Sequence, residues 1–242
     1  MPSKPKPALS FRSLALRGLT AVIGCLGLAW GVSNLARGEA ADDFRDIEAR
    51  LLQFETFSQA TATRVLASDA ARDLSACDSH AQRALLLMEI PLADAALRSG
   101  AVDQFNQRTQ SLESRAKRVL GCTPHDSFVW LVLFGLETGH GMLDDHAFDL
   151  LAMSYETSPN EAWVAVRRIL LAIPVLRSAP APMQEKILTE FQSLVRNGYT
   201  DMPARSYKSA SEPVRAMLQA RIDQLDERSQ KAFTEALQKL RS

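Results

Sequence analysis

The 242-residue chain has no acidic residue before Glu39, no net charge and only three cysteines. Nowhere do apolar and polar residues alternate with period two for long, which argues for helices over strands. No Cys-x-x-Cys pair exists to tune a reactive thiolate, so thiol–disulfide exchange is poorly supported. G-x-S-x-G, a P-loop, a dinucleotide fingerprint and H-E-x-x-H are also missing. With them go the common signatures of serine hydrolases, nucleotide enzymes and zinc proteases. No pair among the 28 acids is marked by the apolar setting that glycoside hydrolysis uses. The chain therefore reads as a non-enzyme that needs no cofactor and no metal.

What is present starts with charge placement. Lys4, Lys6, Arg12, Arg17 and Arg37 are the bases of residues 1–37; setting these five of 28 aside leaves 23 bases against 28 acids, about −5. A mildly acidic body gives no electrostatic case for nucleic acid as a partner. The basic arm, residues 1–13, leads into Leu19–Leu35, which carries no charge. From Leu14 to Leu35 a helix would reach about 33 Å, enough for a bilayer core. A single transmembrane helix is therefore expected over 14–36. Bases before it and Glu39, Asp42, Asp43 and Asp46 after it place the N-terminus inside the cell. The body then lies across a bacterial inner membrane, in the periplasm. The competing expectation is a cleaved signal peptide, since Gly38-Glu39-Ala40 resembles a cleavage site. The long basic region and Arg37 favour a retained anchor. Gly27-Leu28-Ala29-Trp30-Gly31 supplies a GxxxG pattern that could pair two anchors into a dimer, although glycines are common in membrane helices anyway.

Cys25 falls inside the expected span and reads as a small apolar filler. Cys77 and Cys122 fall in the exported part, where disulfides persist, and each precedes an expected helix start. A structural disulfide between them is expected; two unpaired buried thiols are the alternative.

The helical reading is as follows. A first amphipathic helix spans Asp42 to Ala67, with Phe44, Ile47, Leu51, Phe54, Phe57 and Val65 as its stripe. A second spans about Ser79–Arg98, kinked at Pro91 and ended by Ser99-Gly100. A third runs over Val102–Leu120 with Val102 and Phe105 inward, and Gly121 ends it. Thr123-Pro124-His125-Asp126 and Ser158-Pro159-Asn160-Glu161 stand 35 positions apart. Each offers a hydroxyl at N-cap, proline at N1 and a carboxylate at N3, a layout that satisfies orphan N–H groups. They open a fourth helix, apolar nearly all round and so central, and a sixth. The fifth spans Asp144–Thr157 and the seventh Met183–Arg196. Tyr199–Ser211 reads as a polar connector, and a last helical stretch from Glu212 to Leu240 breaks near Asp226–Ser229. Three regions follow the span: residues 37–122, then 123–198, then 199–242.

A spacing near 34 residues built from helix pairs resembles the tetratricopeptide-type repeat. Residues 123–196 look like two such hairpins. Aligning the caps places Phe128 on Trp163, Val129 on Val164 and Phe134 on Ile169. In the first unit Trp130, Gly135, Ala147, Tyr155 and Pro159 fall near the family's large, small, aromatic and proline positions. Cys122–Trp130 and Ser158–Trp163 are also similar to stretches of membrane-anchored alphaproteobacterial proteins linked to extracellular polysaccharide production. The resemblance implies an all-α hairpin array, a tetratricopeptide-like solenoid, that acts as a scaffold between envelope proteins.

Individual residues offer few sites. Arg167 and Arg168 could line a groove that takes a carboxylate or acidic glycan. Glu89 interrupts an apolar run; if buried it needs a partner such as Arg167 or Arg168, and otherwise it stands at a solvent edge. His140, Asp144, Asp145 and His146 read as a solvated turn and not as metal ligands, and His80 and His125 as cap-adjacent surface residues. A glycan- or peptidoglycan-binding module would require Trp130, Trp163 and Tyr155 exposed together in a groove.

Overall fold

The computed structural model describes residues 11–240, apart from the side chains of residues 11–17 and 32–42. Among the described residues the fold is all-helical, with no strand. Helix α1 (Phe11–Leu52) runs without a break from the expected span into the body. Among the described residues no helix is long and apolar enough to cross a membrane. The basic arm lies largely outside the described residues, and so do the side chains at both ends of the expected span.

The first amphipathic helix expected over 42–67 divides in two. Helix α1 ends at Leu52, and α2 (Gln59–Leu66) starts after a turn. Phe54 stands at the break with φ 61°, the left-handed region that L side chains adopt at a cost. Ser58 makes the break worthwhile by capping α2, accepting from the Thr61 N–H. Short α3 (Asp69–Asp73) follows, capped by Ser68.

Helix α4 (Ser79–Arg98) and α5 (Val102–Cys122) form the first hairpin. Asp78 caps α4, which continues through Pro91. Its end is set by Gly100 at φ 71°, where Gly100 N–H reaches Leu97 O and Ala101 N–H reaches Ala96 O. These are the paired bonds of a Schellman stop. Gly198 ends a later helix by the same pair of bonds. Gly121 does not end α5, which continues to Cys122, and Val102 faces solvent instead of the core.

Helix α6 (Ser127–Gly139) and α7 (Asp145–Thr157) form the second hairpin. Phe128, Val129, Leu131, Val132, Leu133 and Phe134 are all buried, so α6 is the central helix its composition suggests. Its start is not where the hydroxyl stood. Thr123 turns back and donates to Val119 O in α5, while Asp126 Oδ1 accepts from Phe128 and Val129 N–H. The carboxylate, not the hydroxyl, is the N-cap. In the second copy α8 (Ala162–Ala172) also begins three residues late, after Glu161, but no side chain caps it, and Ser158 ends α7. The repeat of 35 survives with its register moved by three residues.

A 3₁₀ turn (Ile173–Ser178) leads into α9 (Ala181–Arg196). The expected polar connector is itself a helix, α10 (Asp201–Ser209), which buries Pro203, Ala204 and Ser206. Helices α11 (Glu212–Ile222) and α12 (Glu227–Lys239) complete the chain, with Asp226 capping the last. In packing, α4 lies on α5, α6 on α7, and α8 on α9. The even-numbered helices α4, α6, α8, α10 and α12 each also touch the next, and α9 touches α11. One apolar core runs through this succession from Leu51 to Ala236, with a satellite of Phe44, Ala71, Ala81, Ala84 and Leu85 under α1 and α4.

The sulfurs of Cys77 and Cys122 lie 2.11 Å apart, at disulfide distance, and join the open end of the α4–α5 hairpin. The closed loop holds the whole hairpin, with a sequence separation of 45. Loop-closure entropy assigns such a bridge about 4 kcal/mol. Cys77→Ser with Cys122→Ser should lower the unfolding free energy in urea by up to that amount; an unchanged midpoint would show that the bridge contributes nothing.

Candidate functional site

Adjacent residues on an α-helix diverge by about 100°, so Arg167 and Arg168 on α8 cannot serve one groove. Arg168 turns into the protein and is 0% exposed. It donates to Ser154 O (2.5 Å), Ser154 Oγ (3.3 Å) and Ser158 O (3.2 Å). Its Nε lies 3.2 Å from Glu190 Oε1, close enough for an ion pair but without the alignment of a hydrogen bond. The guanidinium also stacks 4.2 Å from the Tyr155 ring. Tyr155 in turn donates to Glu190 Oε2 at 2.9 Å. Arg168 thus locks the α7–α8 turn to α9 and is not open to a ligand, which corrects its expected groove role. A buried charge persists only when paired and hydrogen-bonded, and here it is both.

Glu190 was not evident as a site residue. Burial pushes its carboxyl up to about 7, against the pull of Arg168 and the Tyr155 hydroxyl. Burial, and then the nearby Glu190 charge, raises the Tyr155 phenol well above its usual range. Both line an open groove of about 990 Å³ between the α7–α8 turn and α9, which Lys186 and Glu185 also line. Neither tryptophan reaches it. Trp130 donates to Pro124 O at 2.8 Å, and Trp163 packs 5.3 Å from Phe128. Tyr155 itself is buried. The three aromatics that a glycan-binding platform would share are therefore dispersed.

Arg167 points the other way. It donates to Trp163 O and, across the fold, to Leu51 O, both at 2.8 Å. Its guanidinium stands 4.3 Å over the Phe54 ring and 5.6 Å from Trp163. Among the described residues it has no carboxylate partner, and burial lowers its pKa to about 10, so it stays charged at neutral pH. It does line a groove, a cleft of about 630 Å³ between α4, α5, α6, α8 and the turn after α1.

A second polar cluster binds α1 to the body. Glu48, 4% exposed, accepts from Arg83 at 2.7 Å and lies 2.6 Å from His80 Nδ1. Arg83 also reaches the α6 cap Asp126 at 3.2 Å and stands 5.1 Å over Trp163. His80 is thus a ligand of a buried acid and more than a cap neighbour. Glu89 is buried, but its partner is Arg108 at 3.6 Å, not either arginine of α8. Asp144 caps α7, His140 ends α6 against Phe105, and no three His, Cys, Asp or Glu among the described residues converge on a metal site.

Glu190 gives a pH signature. Its folded pKa lies above the ordinary 4.5, so its stabilising contribution is complete below 4.5 and is lost as pH rises through 7. The unfolding free energy should fall across that window by about 3 kcal/mol, and Glu190→Gln should remove this component; a variant with the same slope would exclude Glu190 as its source. No family model matches the chain, and no curated protein or solved structure is similar to it.

Proposed function

We propose that this chain is a membrane-anchored scaffold of the bacterial envelope, a tetratricopeptide-like array held to the inner membrane by the first part of α1. The observation that carries it is α1 itself. Leu19, Val22, Ile23, Leu26, Leu28 and Trp30 are all exposed, Trp30 at 73%, and among the described residues none of them joins the core. An apolar stretch exposed on every side is stable in lipid and costly in water. The same helix is then pinned to the body through Glu48. The helix between residue 36 and Phe44, the first residue of α1 buried in the body, would set the body about 12 Å from the span.

Succession of helix pairs, each touching the next, supports the array. A pair of cysteines at disulfide distance suits an oxidising periplasm. The scaffold would act by confinement, which raises the effective concentration of weakly bound neighbours. Envelope proteins are its partners in this reading, and polysaccharide synthesis or export is the process that the resemblance suggests. No observation favours catalysis as a second reading.

A photo-crosslinking residue at exposed Leu97 or Tyr199 in intact cells should capture envelope proteins, and external protease should digest the body in spheroplasts. A body protected from external protease, or capture of cytosolic proteins alone, would overturn the assignment.

A further inference from the structure

The cleft beside Arg167 is not used by a scaffold. Its floor is apolar and buried, with Leu112, Phe128 and Leu131, and its rim carries Leu97, Phe105 and Leu136. At about 630 Å³ it lies within the roughly 300–1,000 Å³ of small-molecule sites. Helices and a short turn make its walls, so there is no sheet edge to pair with an extended peptide. Two acids lie on the rim, Glu55 and Asp94, and each already has its own arginine, Arg50 and Arg98.

Arg167 is therefore the charge in this cleft that lacks an opposite. Two of its five N–H donors go to main-chain carbonyls, and among the described residues no anion meets the rest. Phe54 lies beneath it in a left-handed conformation, a strained arrangement of the kind that persists where a binding site demands it. An apolar slot that ends in a single unopposed cation matches one chemistry, an alkyl chain with one anionic head.

We propose that the cleft between α4, α5, α6 and α8 binds a long-chain fatty-acid carboxylate, with its head on Arg167 and its chain along the apolar floor. The proposal stands independently of the scaffold role. An unbranched chain needs no polar partner inside the slot, and one guanidinium neutralises one carboxylate.

The test uses the full chain in phosphatidylcholine nanodiscs with a palmitate analogue carrying a terminal diazirine. After photolysis, label should fall on peptides bearing Leu97, Phe105 or Leu136. Free palmitate should compete it about tenfold better than hexadecanol, the margin expected of a charge-assisted head contact. Arg167→Gln should erase that margin and leave hexadecanol competition unchanged. Gly139 lines the cleft, and an added Cβ there meets nothing within 4 Å. Gly139→Phe should then place a ring at the edge of the cleft and weaken the label without lowering the melting temperature. Label confined to residues 18–31, or equal competition by acid and alcohol in the unmodified protein, would overturn the proposal.

Discussion

One buried carboxylate ties α1 to the body. Glu48 of α1 binds Arg83 of α4, Arg83 binds Asp126, and Asp126 caps α6. Trp163 of α8 closes the chain over the face of Arg83. Three helices far apart in sequence thus share one run of charge, and a fourth meets it through an aromatic face. Removing one partner from such a buried pair costs about 3–5 kcal/mol, because the other charge is stranded. The disulfide-distance cysteines stand beside this junction, at the α4 start and α5 end, so covalent and ionic ties act at the same end of the hairpin.

The consequence for α1 is that its last turns cannot swivel freely against the body to which they are tied. The next tie is Arg167, which holds Leu51 O at the very end of α1. Its neighbour Arg168 does the opposite task, closing the α7–α8 turn onto α9 through Ser154 and Glu190. Two consecutive identical residues therefore serve different ends. One is spent on the core; the other keeps donors facing an apolar cleft.

Much of this fold was legible before any coordinates. The all-helical class, the burial of most of α6 and the Gly100 stop follow from periodicity and backbone sterics. The cap register did not, because Thr123 could satisfy either α5 or α6, and only tertiary contacts show that it bonds Val119. The break at Phe54 carries no glycine or proline to announce it. Helix α10 was masked by its polar composition, since Pro203 and Ala204 bury little apolar area. The polar site residues left a fainter trace. Glu48 lies on the Phe44–Ile47–Leu51 face and Glu190 on the Ile187–Phe191–Leu194 face. An acid within an apolar stripe implies a buried partner, but spacing alone does not say which arginine provides it. Glu89 illustrates the limit, since its partner proved to be Arg108.

The central claim is that α1 is locked to the body through Glu48, and amide hydrogen exchange over residues 44–52 measures that lock. In the full-length protein these amides should be protected about as strongly as those of α4. In Glu48→Ala they should exchange about 100-fold faster or more, as loss of a buried ionic partner implies. Rapid exchange in the unmodified protein, or no change in the variant, would contradict the account.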